Sequence, residues 1–235
     1  MSITSKIDTI EVNGVSSDTV GVYVDTFPFP PMPERVYQEY DAGNGSENNV
    51  YAESRYKDVQ ITLNLYLFDG EYNPNSIYEY LQGAKTLRSS RFPDYEYRVK
   101  KVSGISPVTQ NAGKRKLSVT FTCSPFRYAY DNPEEVLENG QYFHNSGSIF
   151  SRPKWRIYNI RSPFFLNVNG EQFSINLSGG ETVVVDTDRM IAYSGVDVVL
   201  SKTTGNLPLL ATGSNQISWT GDVDRVTIQK NERWV

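Results

Sequence analysis

The chain has 235 residues, with 23 Lys and Arg against 27 Asp and Glu, a formal net charge of −4 and a pI of about 5.2. That balance excludes a broadly cationic surface of the kind that holds nucleic acid or anionic lipid by charge alone. A single cysteine, Cys123, excludes an internal disulfide scaffold, and a single histidine is a thin endowment for acid–base catalysis.

Neither half is polarised: residues 1–130 carry 14 basic and 15 acidic side chains, leaving 9 and 12 for the remainder. The N-terminus, MSITSKIDTIEV, has no basic region followed by an apolar core, and no apolar run approaches the ~20 residues of a bilayer span. The expectation is a chain made in a cytoplasm and soluble there, in which the sequons at Asn44 and Asn176 carry no consequence.

In chain order, residues 6–12 (KIDTIEV), the turn Asn13-Gly14 and residues 19–25 (TVGVYVD) read as an opening hairpin. Residues 26–33 (TFPFPPMP) hold four prolines in eight positions, which forbids a central strand and favours an extended polyproline-like segment. Two strands over residues 35–41 and 50–57 flank the polar stretch GNGSENN and predict a long hairpin arm. Residues 59–67 (VQITLNLYL) alternate with every odd position apolar, a core strand.

Residues 75–89 place Ile77, Tyr80, Leu81, Ala84 and Leu87 at helical spacing, with Asn75 or Ser76 as cap, and predict one helix weakened at Gly83. Short strands over 96–102 and 104–108 precede a closing strand, 114–123, in which Leu117, Val119, Phe121 and Cys123 alternate with Ser118, Thr120 and Thr122. Ser124-Pro125 should end that ladder, because proline donates no N–H. The polar segment Asp131-Asn132-Pro133-Glu134-Glu135 then reads as a boundary, giving domains 1–130 and 131–235. Beyond it, candidate strands over 141–144, 154–160, 164–168, 171–176, 182–186, 190–194, 207–210, 216–219 and 225–229 indicate a β-sandwich or jelly roll.

No nucleophile elbow, phosphate-binding glycine loop, HExxH or CxxC is present, so neither catalytic nor metal nor cofactor residues are assigned. His144 has no evident partner, and Glu134-Glu135 and Asp186-x-Asp188 read as solvated surface. Trp155, Trp219 and Trp234 are expected in core or interface rather than along a sugar-binding face.

Basic residues gather at Arg88, Arg91, Arg98, Lys100, Lys101 and 114–116, near Phe92, Tyr95 and Tyr97, while residues 34–58 carry six acidic against three basic side chains. The acidic arm of one subunit meeting the basic strip of the next would be a heterologous contact, the kind that closes rings. The candidate interface residues are therefore Arg35, Tyr37, Glu39, Tyr40, Arg55 and Lys57 on the arm, with Arg98, Lys100 and Lys101 on the strip.

The order of several segments carries a resemblance. The Ile10-x-Val12-Asn13-Gly14 hairpin, the proline-rich approach to the arm, SIYEYLQGAKTL, VTFTCSPFRYAY, FFLNVNGEQFSINLSGGETVVVDTDRMIAY and LPLLATGSNQISWTGDVDRVTIQKNERWV together resemble the distal tail (Dit) proteins of long-tailed bacteriophages and prophages. The resemblance implies a mainly β chain of two domains. The first would be a β-sandwich-like domain with one helix and a protruding hairpin arm, the second a galectin-like β-sandwich of jelly-roll type.

It also implies a non-enzymatic virion component at the tail tip or baseplate. A hexameric ring of the first domain would join the tail tube to the tail-associated hub protein and let DNA pass without specific binding. The second domain would project outward and anchor receptor-binding or other baseplate proteins; no membrane is involved. One departure is informative. His144-Asn145-Ser146 and Trp219-Thr220-Gly221 do not match the sugar-binding runs of galectins, so a galectin-like shape is expected without galectin chemistry. The alternative is a carbohydrate-binding module or adhesin.

Overall fold

The computed structural model describes residues 8–40, 49–67, 73–106, 109–111 and 114–235, and its chain separates into two compact units, one running to Tyr130 and the other Asp131–Trp234. The architecture is mainly β, with one α-helix among the described residues.

In the first unit β1 (Ile10–Val12) and β2 (Val15–Ser16) make a hairpin across Asn13-Gly14, whose φ of 53° and 80° are those the tight turn needs. Asn13 also donates to the Gly83 carbonyl at 2.8 Å and accepts from the amides of Lys85 and Thr86. The second limb is shorter than the sequence predicts. Ser17–Val20 is a 3-10 turn closed by Gly21 at φ 73°, and β3 (Val22–Val24) crosses to pair with β6.

β4 (Arg35–Tyr40) and β5 (Asn49–Tyr56) form the antiparallel arm on their own two-stranded sheet; most of its expected polar tip lies outside the described residues. β6 (Val59–Leu67) buries Val59, Ile61, Leu63, Leu65 and Leu67 and exposes the residues between, so each inward side chain contributes about 1.5–3 kcal/mol of burial.

The helix departs from the expectation as well. α1 spans Pro74–Gln82 only, capped by the Asn73 side chain accepting from the Asn75 amide at 3.0 Å rather than by Asn75 or Ser76. Ile77 and Leu81 enter the core from it. Past Gly83 the chain becomes β7 (Thr86–Ser89), because pairing with β1 and β8 satisfies a full row of backbone groups while Leu87 still reaches the core.

β8 (Phe92–Ser103) is one strand where a shorter one was expected. No strand forms over Gly104–Ser106, Gly104 standing at φ 62°, and residues 107 and 108 lie outside the described ones. After β9 (Thr109–Asn111), β10 (Lys114–Ala129) runs straight past Pro125. Its register against β8 shifts between Cys123 and Arg127, so the proline occupies a bulge where no ladder N–H is required. The sheet order is β2-β1-β7-β8-β10-β6-β3, with β9 on the start of β10.

The second unit holds β11 (Glu135–Leu137), β12 (Tyr142–Asn145), β13 (Lys154–Ile160), β14 (Phe164–Val168), β15 (Glu171–Ile175), β16 (Glu181–Asp186), β17 (Ile191–Ser194), β18 (Asp197–Val198), β19 (Thr203–Thr204), β20 (Gly213–Thr220) and β21 (Arg225–Gln229). They make two sheets, β11-β21-β13-β16-β17-β18 and β12-β20-β14-β15-β19, with Trp155, Ile157, Phe164, Phe173, Val185 and Ile228 among the core side chains.

Three local expectations change here. Residues 207–210 are a loop rather than a strand, apart from a bridge of Leu210 to Ser151; the Pro208 carbonyl accepts from Trp155 Nε1 and Thr187 Oγ1, both at 3.2 Å. Asp186 is buried rather than solvated, accepting from the Arg189 amide at 3.1 Å. The boundary segment is bonded down: Asn132 pairs with Asn231, and Glu135 begins β11.

Candidate assembly surface

The arm places Arg35, Tyr37, Glu39 and Tyr40 on β4 and Arg55 on β5, with Lys57 just beyond. Among the described residues, its charged side chains are engaged within the chain. Arg35 Nε donates to the Glu53 carbonyl at 2.7 Å, Arg55 Nε reaches the Glu53 carboxylate at 2.5 Å, and Lys57 Nζ lies 3.0 Å from Glu34. The Arg55 bond holds the Glu53 carboxyl below its ordinary value and Arg55 above its own. Tyr37 is exposed; the side chains of Glu39 and Tyr40 lie outside the described ones.

On the strip, Lys100 Nζ is 2.6 Å from Asp58 of the same chain. Arg98 lies over the Tyr128 ring, 3.7 Å from its centroid, and Arg88 over Tyr130 at 3.5 Å while bonding Glu11 at 2.9 Å. Lys101 is exposed, and Lys116 bonds Tyr66, which raises its pKa. Arg88 and Glu96 face each other across β7 and β8; burial raises the Glu96 carboxyl against the pull of Arg98 and Arg88.

Arg88, Arg91 and Arg98 thus lie over separate aromatic rings, and Tyr97, which would have to stack a base, is buried. Lys100 of the strip meets Asp58, which closes the acidic stretch of the same chain, rather than one of the candidate arm residues. The Arg–Tyr stacking went unread in the sequence, although alternation along β8 and past the bulge in β10 puts both partners on one face.

In the second unit Trp155 is fully buried and Trp219 is partly buried against the sandwich core. His144 is exposed on β12. A surface groove of about 400 Å³ lies among Phe150, Val168, Glu171, Asn206, Pro208 and Leu209. Among the described residues no group of three or more His, Cys, Asp or Glu could hold a metal ion.

No family model and no curated protein matches the sequence. Solved structures do match the fold. The Dit protein of phage SPP1, described as a paradigm of the hub adsorption apparatus in phages infecting Gram-positive bacteria, superposes with a TM-score of 0.68 at 14% identity, covering 98% of this chain and 100% of that one. The chain has the Dit fold. A chain of the phage p2 baseplate in its activated conformation, solved with strontium, shares it with a TM-score of 0.52 at 10% identity, over 95% of this chain and 96% of that one. The likeness therefore runs through both units, at low overall identity.

Proposed function

We propose that this chain is a structural, non-enzymatic component of a phage tail tip or baseplate. It acts as a hub adaptor whose first unit forms a hexameric ring between the tail tube and the tail-associated hub protein. The second unit carries receptor-binding or other baseplate proteins outward, and DNA passes the ring without specific contacts. The observation that carries this reading is the end-to-end match to the SPP1 Dit fold, in which neither chain has an unmatched domain.

A ring suits the charge distribution described above. With Arg55, Lys57 and Lys100 paired inside the chain, each contact between copies has little charge to draw on. Closure makes several weak contacts simultaneous, so their effective concentration rather than their individual strength holds the assembly. Native mass spectrometry with negative-stain microscopy tests this. Six-membered rings, alone or on addition of the tube protein, are expected. A chain that stays monomeric at high concentration and with the tube protein present would overturn the ring, and specific binding on a glycan array would favour an adhesin instead.

A further inference from the structure

The surface groove of the second unit has an apolar floor, in which Val168 and Pro208 are buried while Phe150 and Leu209 stand 38% and 43% exposed. Its walls are fixed. The Pro208 carbonyl accepts from Trp155 and Thr187, and Asn145 donates to the Ala211 carbonyl at 3.1 Å. Arg233 donates to the Phe150 carbonyl at 2.9 Å and lies 4.6 Å from the ring centroid. Gly205, at φ 96°, has no Cβ to strike the Gln172 carbonyl, so the chain leading to Asn206 lies close against β15. At the rim, the exposed side chains of Glu171 and Asn206 have no hydrogen-bond or ionic partner among the described residues.

Beside the groove stands the turn between β16 and β17. The Thr187 amide donates to the Pro153 carbonyl at 3.1 Å and its hydroxyl to the Pro208 carbonyl at 3.2 Å, which anchors the turn to the loop that lines the groove. The Arg189 amide closes it on Asp186 at 3.1 Å. Met190 has a φ of 57° and is 67% exposed. A methionine gains nothing within the chain from either, because the left-handed region suits glycine or asparagine and the thioether is left in water. Arg189 keeps 81% of its side chain exposed, with Nε 3.8 Å from Asp186 and so beyond hydrogen-bonding distance.

Knob and groove are neighbours on one surface and complementary in kind: an apolar side chain beside a cation, and an apolar floor beside a carboxylate. That is the condition for an isologous contact, in which a twofold axis lets two copies exchange the same features. We propose that the second unit pairs with that of another copy in this way, Met190 of each entering the other's groove against Phe150 and Arg189 of each meeting the other's Glu171. A thioether on an aromatic ring is a favourable contact, and about 400 Å³ takes it together with the aliphatic stem of the arginine. Exposed ion pairs contribute little, so the pair is weak and depends on concentration. The contact does not rest on the adaptor reading, and a twofold pair is a different assembly from the six-membered ring.

Charge reversal with mixing tests it on the full chain. Sedimentation and native mass spectrometry over rising concentration should show pairs of free chains, or paired rings where rings form. Arg189→Glu alone and Glu171→Arg alone each set like charges at both contacts and should weaken pairing by about tenfold or more. Mixing the two variants should restore it, because each mixed pair then holds one native and one inverted ion pair. Met190→Gly should keep the thermal midpoint, since glycine takes that φ without strain, and should also weaken pairing by about tenfold or more.

A chain that shows no pairing at any concentration overturns the proposal. So do pairing that survives both reversals and reversals that mixing does not rescue. Six-membered rings without pairing overturn this contact and leave the adaptor standing, while pairs without rings support the contact and count against the ring.

Discussion

Tyr56, the last residue of β5, stands edge-on to Phe126 in the bulge of β10, with ring centroids 5.4 Å apart and planes at 73°. Among the described residues the arm's two strands pair only with each other, so this pair is one point where its root is fastened to the core sheet. A T-shaped aromatic pair is worth about 0.5–1.5 kcal/mol beyond the area it buries. In a double-mutant cycle, Tyr56→Ala and Phe126→Ala should therefore show a coupling of that size by urea unfolding. Hydrogen exchange should meanwhile quicken in β4 and β5 before it does in β6. Additive effects would mean that the rings touch without supporting each other.

That bulge also shows where sequence reading stops. Alternation alone identified β6 residue for residue, and likewise β13 and β14, because a period of two needs no knowledge of partners. The far ends of elements depended on tertiary competition. Leu87 fits a helical face and a strand face equally well, and the row of ladder bonds to β1 and β8 decides for the strand. Pro125 marks a break in most strands but is absorbed here because the register shift removes the need for its N–H. At the candidate surface the residue types were legible and their pairing was not: that Lys100 meets Asp58 of its own chain is a matter of three-dimensional register.

Asn215 is fully buried and does for the 207–213 loop what a ladder would do for a strand. Its amide donates to the carbonyls of Ala211 and Gly213, both at 3.0 Å, and its oxygen accepts from the Ala211 amide at 2.8 Å and from Asn169 at 2.7 Å. Asn215→Leu keeps the volume and strands several of these groups, each at a cost of about 1–3 kcal/mol. We expect a loss of about 3 kcal/mol or more on chemical denaturation, against less than about half of that for Asn169→Ala at the exposed end of the network.

Glu134 ties the boundary segment to the second unit. Its Oε1 accepts from Thr227 Oγ1 at 2.5 Å and from the Tyr158 hydroxyl at 2.9 Å, with Arg156 at 3.4 Å from Oε2. The Thr227 bond, then those of Tyr158 and the charges of Arg156 and Arg225, hold its carboxyl below the ordinary 4.5. A depressed native pKa binds fewer protons than the unfolded chain does, so the contribution is complete above about 4.5 and is lost as pH falls through the lower native value. Glu134→Gln should lower the thermal midpoint at pH 7 and converge with the parent in strong acid. A gap that persists unchanged at low pH would point to packing instead.

Cys123 faces the core between Phe121 and the bulge, with no exposed surface. Burial first, and the nearby charge of Asp58 second, push its thiol up to about 12. At pH 8 the thiolate is then on the order of one part in ten thousand of the population, where a free cysteine would be tens of per cent ionised. Both terms act against attack, since reagents cannot reach the sulfur and the reactive form is scarce. Iodoacetamide should therefore leave the native chain unlabelled over hours at pH 8, and labelling should rise with urea along the unfolding curve of the first unit. Labelling that precedes that curve would show that the β8–β10 seam opens locally at the bulge. Cys123→Ser should cost about 1–3 kcal/mol, because a hydroxyl placed there finds water no more easily than the thiol does.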